Sequence, residues 1–257
     1  VSLSITALHV GTSRNYPTPA ITYFHGWGEV HDVPMIMFVI QGGADGPIVV
    51  DTGTANPASV LRFHSVVLER PDEQHPRAAL ERLGIDPTEV RTVVNTHLHW
   101  DHSSNNDLFP NARIYAQREE MAYAIAPYDT SRKGYENSRD ATPPWLSSLG
   151  RMVPVDGEET IAPGVTLVPL PGHTPGSQGV LVEAGAKRFL IAGDFVDNYG
   201  NLAGDEQNAH FLSGSFVSLP DYWKSFKRLR ELDCVVVPSH DPAVIGIGVF
   251  DEDYVAP

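Results

Sequence analysis

Short apolar runs rich in Val and Ile alternate along the chain with turn signals and with stretches of helical period. Met35 to Gln41 and Ile48 to Asp51 read as two strands joined by the hairpin-like turn Gly42-Gly43-Ala44-Asp45-Gly46. Ala58 to Glu69 and Arg77 to Leu83 read as helices, the first preceded by Asn56-Pro57, a cap residue and a first-turn proline. Arg91 to Asn95 is a short buried strand. In the second half, Val165 to Leu170, Gln178 to Glu183 and Arg188 to Ala192 read as strands. Asp221 to Leu232 reads as a helix with an apolar stripe through Trp223, Phe226 and Leu229, and Cys234 to Pro238 as another buried strand. Strands and helices interleave through both halves, which predicts a mixed α/β (α+β) sheet sandwich with helices outside.

Two stretches fit this pattern poorly. Ser13 to Val33 is rich in aromatics, Gly and Pro, and Ala126 to Leu149 holds Tyr128, Tyr135, Pro143, Pro144 and Trp145 with little periodicity. Long irregular segments in a compact domain are usually lids or tails, and the aromatic content favours ordered lids. There is no internal repeat and no low-complexity segment.

Composition narrows the classes. A chain of 257 residues, 42% hydrophobic and 19% charged, suits one globular domain spanning 1–257. The net charge of -14 disfavours nucleic acid and anionic membrane surfaces as partners. No apolar run is long enough to span a bilayer. The lone Cys234 permits no intrachain disulfide and reads as a buried small hydrophobe. Val1 to Ser4 shows no basic stretch before an apolar core, so no signal peptide is expected, and a cytoplasmic location is the default. The absent initiator Met leaves room for a trimmed upstream piece.

The chemistry concentrates in His97-Leu98-His99-Trp100-Asp101-His102, directly after the Arg91–Asn95 strand. Zinc-type ions prefer imidazole nitrogen and carboxylate oxygen. His97 and His99, two apart, project the same way from an extended backbone. Asp101 and His102 follow where the chain turns, and can face a second ion. The same context of apolar strand, small residue or proline, then ligand recurs three times. It gives His173 in Pro171-Gly172-His173-Thr174-Pro175-Gly176, Asp194 in Ala192-Gly193-Asp194, and His240 in Pro238-Ser239-His240. Asp51 reads equally as a turn-stabilising residue or as a carboxylate orienting a ligand histidine. Trp100 reads as core or as a wall of the site. His9, His64 and His75 read as surface or packing residues, while His25 and His31 could line a pocket.

The HxHxDH run, the later Gly-His-Thr-Pro-Gly turn, the Gly-Asp and the final Ser-His resemble the metallo-β-lactamase superfamily, as does Asp51-Thr52-Gly53 after Ile48-Val49-Val50. Asn105 to Ala112, Gln117-Arg118-Glu119-Glu120 and Ser239-His240-Asp241 are similar to its N-acyl-homoserine lactonase group. The resemblance implies an αββα sandwich with the site at one edge. It implies one ion held by His97, His99 and His173, a second by Asp101, His102 and His240, and Asp194 bridging both together with a water or hydroxide. Two Zn2+ per chain are expected, with Mn, Fe or Co as other divalent candidates. The lactonases carry a tyrosine three positions after the bridging Asp, where this sequence has Asp197; Tyr199 and His210 lie near and are candidates for that role. Ser103-Ser104 also departs from the group's usual small or Gly-rich pair.

Two adjacent ions would lower the pKa of a shared water and give a hydroxide nucleophile, with Asp101 and Asp194 able to accept or pass a proton. The expectation is a hydrolase that opens a lactone or related cyclic ester of a small molecule; a homodimer is compatible with it. Amide, thioester or other ring-opening or dehalogenating hydrolysis on the same centre is the alternative, as is a mononuclear iron dioxygenase of the same fold. A nuclease and a non-catalytic metal module are weaker readings.

Overall fold

The computed structural model describes residues 2–256. Its strands are β1 Ser4–Pro17, β2 Val30–Gln41, β3 Ile48–Val50, β4 Val67–Glu69, β5 Thr92–Val94, β6 Arg113–Gln117 and β7 Met152–Val155, followed by β8 Glu159–Ala162, β9 Val165–Pro169, β10 Gln178–Ala184, β11 Lys187–Ile191, β12 Val235–Val237 and β13 Val249–Phe250. The α-helices are α1 Pro57–His64, α2 Pro76–Arg82, α3 Trp100–Ser103, α4 Arg118–Ile125, α5 Tyr199–Ala203, α6 Leu219–Leu232 and α7 Pro242–Ile247.

The strands form an eight-stranded sheet, in the order β13-β1-β2-β3-β5-β6-β7 with β4 beside β1, and a five-stranded sheet, β12-β11-β10-β9-β8. Strand β2 shows why they stack. Ile36, Phe38 and Ile40 enter the layer between the sheets, where Val180, Val182, Phe189 and Ile191 meet them. Met35, Met37 and Val39 enter the opposite layer, under Val60 of α1 and Ala79 and Leu80 of α2. A strand buried on both faces reads as a continuous apolar run, as this one does. The second sheet's outer face is covered by α6 through Tyr222, Phe226, Leu229 and Leu232. The layers are therefore helix, sheet, sheet, helix, as expected. No helix among the described residues is long and apolar enough to cross a membrane.

Several boundaries differ from the sequence reading. The helix expected over Ala58 to Glu69 stops at His64, because Ser65 takes a left-handed conformation (φ 57°) as its cap. Val67-Leu68-Glu69 then joins the sheet as β4. Ser13 to Val33 is not wholly irregular: β1 runs on to Pro17 and β2 begins at Val30, with Tyr16 paired to His31 across shifted register. The α6 stripe is led by Tyr222, whereas Trp223 is exposed. From Tyr222 the positions 222, 226, 229 share a face at helical period.

The paired parallel strands set the site. β3, β5 and β6 run parallel, as do β11 and β12. Their carboxyl ends open at one edge of the sandwich, where loops can converge side chains.

Candidate metal centre

Each candidate ligand leaves the end of a strand. His97 and His99 follow β5, and Asp101 and His102 lie in the single turn of α3. His173 follows β9, in a turn where Gly172 has φ 144° and a Cβ would collide with Tyr222. Asp194 follows β11 in a tight turn whose Gly193 (φ 55°) packs on Thr96. His240 follows β12.

The structure brings all seven together in two adjoining groups. His97, His99 and His173 form one; Asp101, His102, Asp194 and His240 form the other, with the donor atoms of each group within 4.8 Å of one another. Asp194 faces both. Its Oδ2 lies 3.8 Å from His97 Nε2 and 3.6 Å from His173 Nε2, while its Oδ1 lies 3.1 Å from His102 Nε2 and 3.2 Å from His240 Nε2. Asp101 Oδ1 is 3.7 Å from His102 Nε2, and its Oδ2 is 3.9 Å from His240 Nε2.

Surrounding acceptors fix the rings. His173 Nδ1 donates to the Ser215 carbonyl at 2.7 Å, His240 Nδ1 to the Pro34 carbonyl at 2.9 Å, and His102 Nδ1 to Asp51 Oδ2 at 2.8 Å. Carbonyl and carboxylate oxygens only accept, so each Nδ1 carries a proton, and Nε2 is the ring atom left to bind a metal. Asp51, at φ 59°, thus both shapes its turn and orients a ligand histidine.

Electrostatics separate the two groups. Burial, then the neighbouring imidazoles, holds His97 and His99 well below the usual histidine range, and burial also lowers His173. Burial pulls His102 and His240 down too, but the carboxylates, Asp194 foremost, outweigh it; His102 is raised well above its usual range and His240 to about 9. Asp194 would be raised by burial, yet His102 and His240 drive it well below the usual carboxylate range. The donor set fits divalent ions. His99 Nδ1 stands 3.0 Å from both His97 Nε2 and His173 Nε2, so three imidazole nitrogens converge on one point. Clustered imidazole nitrogens beside two carboxylates are what a cation satisfies.

The cluster floors a cleft of about 240 Å³ walled by Tyr16, Ile21, Val33, Met35 and Trp100. Trp100 is both buried and part of this wall. Asp197 also faces the cleft, its carboxyl pushed well up by burial and by Asp194. The remaining sequence candidates are placed elsewhere. Tyr199 packs against the layer between the sheets, its hydroxyl buried without a partner and its pKa pushed by burial to about 12. His210 Nδ1 donates to the Leu202 carbonyl at 3.1 Å and the ring stacks on Phe226, with centroids 4.4 Å apart. Neither is among the residues lining the cleft: α5 sets Tyr199 against the layer between the sheets, and the stretch after it lays His210 on α6. His25 is half-buried against Phe211, His31 is exposed, and neither lines it.

Sequence reasoning missed two groups here. Tyr16, in the stretch read as irregular, turns its phenol to the cleft; burial, then the charges of Asp101, Asp197 and Asp194, push its pKa above the usual range. His64, read as a packing or surface residue, is buried, stacks on Trp100 at 4.1 Å and pairs with Glu136 at 2.8 Å. Only the aromatic content of 13–33 pointed toward Tyr16; nothing in sequence pointed to Glu136.

Such a fold, with such a cluster at its strand ends, defines a metal-binding αββα sandwich. Residues 36–240 match the metallo-beta-lactamase superfamily, and the chain belongs to that superfamily. Among its relatives is an N-acyl homoserine lactonase of Azorhizobium caulinodans, 35% identical over 232 residues that cover 84% of this chain and 85% of the relative. Among solved structures it is similar to an N-acyl homoserine lactone hydrolase with the product N-hexanoyl-L-homoserine bound at its catalytic metal centre (TM-score 0.76, 21% identity, 96% of each chain covered). It is also similar to AidC, a dizinc quorum-quenching lactonase (TM-score 0.71, 17% identity, covering 99% of this chain and 92% of AidC).

Proposed function

We propose that this protein is a dinuclear zinc hydrolase that opens the ring of a small-molecule lactone or related cyclic ester. The observation that carries the reading is the division of Asp194, with one oxygen toward the His97 and His173 imidazoles and the other toward His102 and His240. A carboxylate shared in this way suits two ions side by side rather than one. In this reading His97, His99 and His173 hold the first ion, Asp101, His102 and His240 the second, and Asp194 both. When bound, the pair supplies Lewis-acid polarisation of the scissile carbonyl and an acidified water as nucleophile. The dizinc lactonase and the lactone hydrolase among the structural relatives support both the metal count and the substrate class.

The chain's own residues shape the rest. Tyr16 faces the cleft, and its phenol is a donor for the carbonyl oxygen of a bound ester. Asp101, between the two rings of its group, would be placed to take up the proton released by the attacking water and hand it to the leaving alkoxide. Ile21, Val33 and Met35 give an apolar wall that excludes water and suits an uncharged substituent. Segments 13–33 and 126–149 supply much of this wall, Lys133 and Gly134 included, and so set specificity.

Zinc-loaded protein offered γ- and δ-lactones, linear esters, an amide and a thioester in a pH-stat tests this. Lactones are expected to turn over fastest. Amide or thioester turnover with no lactone turnover would refute the substrate class.

A further inference from the structure

We propose that Glu120 is a positioning residue for the His97, His99 and His173 half of the centre, tying together the three chain segments that carry or cover those rings. The inference rests on the two-ion reading above. Glu120 lies in the first turn of α4 and is fully buried. Its Oε1 accepts the Leu98 N–H at 2.9 Å, from the peptide between His97 and His99. The same oxygen accepts the Tyr135 hydroxyl at 2.8 Å. Its Oε2 accepts the Thr174 hydroxyl at 2.6 Å, on the residue next to His173. Thr174 is held in turn by Ser177, whose Oγ accepts the Thr174 N–H at 3.0 Å.

Packing tightens the same knot. A Cβ on Gly176 would stand 2.1 Å from the Glu120 backbone nitrogen, so the His173 turn lies directly on α4. Tyr135 sets its ring edge-on to His99, with centroids 4.6 Å apart. Its neighbour Gly134 accepts the Trp100 N–H at 2.9 Å. One carboxylate thus fixes the His97–His99 loop, the His173 turn and the segment over His99.

All these donors are neutral, and Glu120 makes no ion pair among the described residues. Burying a carboxylate without a cation is costly. An apolar residue would fill the space but leave the Leu98 N–H, Tyr135 O–H and Thr174 O–H unmet. The other half of the centre has supports that do not pass through Glu120: Asp51 behind His102, the Pro34 carbonyl behind His240, and Ser239, which donates to Asp194 Oδ1 at 2.9 Å; Asp51 also reaches His97 through the Thr96 hydroxyl, 3.2 Å from His97 Nδ1. Damage to Glu120 should therefore loosen one half and spare the other.

Glu120→Gln tests this, because the amide keeps the shape and one acceptor but turns a donor toward Thr174. Zinc affinities of apo protein are read by competition with a chromophoric chelator, beside the apo melting temperature and the cobalt(II) absorption spectrum. E120Q is expected to weaken one zinc step about 10- to 100-fold and leave the other within about twofold. Its cobalt spectrum should change for the weakened step alone. Asp51 faces His102 directly and His97 only through Thr96, so Asp51→Asn should weaken the opposite step the more, and the double variant both. Should E120Q fail to fold, Thr174→Val, which removes only the donor to Oε2, is expected to show the same selective loss. Two wild-type zinc steps left unchanged by E120Q, or weakened equally alongside a matching fall in apo melting temperature, would overturn the role of Glu120 alone. A wild-type protein without two zinc steps would overturn the two-ion reading and this inference with it.

Discussion

Asp51→Asn offers a perturbation whose size can be worked out atom by atom. Asp51 Oδ1 accepts the Thr96 N–H at 2.8 Å, and Oδ2 accepts both the Thr96 hydroxyl and His102 Nδ1 at 2.8 Å. A backbone N–H can only donate, so the retained Asn oxygen must stay on Thr96 and the new NH2 must face the other two groups. The Thr96 hydroxyl can turn and accept. His102 cannot do so without moving its proton to Nε2, the atom turned toward Asp194 at 3.1 Å. A protonated Nε2 cannot ligate a metal. The variant therefore either carries the wrong tautomer or keeps the right one against a donor–donor contact. Losing a hydrogen bond to a charged group costs about 1.5–3 kcal/mol, equivalent to a roughly 10- to 150-fold loss of affinity. The assay is zinc competition at fixed pH, with the apo melting temperature as the control for folding. Both zinc affinities within about twofold of wild type would refute the reasoning, because His102 would then need no carboxylate behind it.

Tyr16→Phe removes one hydroxyl from the cleft wall and should lower lactone kcat/KM about 10- to 100-fold with zinc content unchanged; an unchanged rate would remove Tyr16 from the mechanism. Gly134→Ala places a Cβ 2.8 Å from His99 Cδ2 and Nε2, an overpacking of about 1–3 kcal/mol that should fall on the His97, His99, His173 half. Unaltered zinc binding in that variant would show that the segment over His99 yields freely. The apo protein should lose stability as pH rises. His240 goes from 6.5 unfolded to about 9 folded, so its contribution is full below 6.5 and is lost as pH rises through about 9. That window is worth about 3 kcal/mol, and His102, also raised, acts in the same direction. Melting curves of metal-free protein between these limits check it, and a flat or rising profile would contradict it.

The metal cluster was legible because its spacing is local. His97, His99, Asp101 and His102 lie in one loop, and His173, Asp194 and His240 each come two or three positions after an apolar stretch that reads as a strand. The sandwich was legible because both-face burial leaves uninterrupted runs such as Val33 to Ile40. What faces the cleft was less so. Tyr16 reaches it only because β1 extends through shifted register past Thr12, which no periodicity foretells. Tyr199 lies two residues from Asp197, yet α5 carries it to the layer between the sheets while Asp197 stays in the cleft. Glu120 and Thr174 are 54 positions apart, and Glu136 and His64 are 72 apart, so neither pair leaves a mark in local sequence. Helix α1 was overrun for another reason: the Val66-Val67-Leu68 run continues an apolar pattern, and only the left-handed Ser65 ends the helix.

The central claim is that two ions sharing Asp194 make one hydrolytic centre. Titrating metal-free protein with zinc while following lactone opening in a pH-stat tests it most directly. Activity is expected to rise to a plateau at two equivalents per chain, with little at one. A plateau at one equivalent, or zinc uptake without any ring opening, would contradict the account.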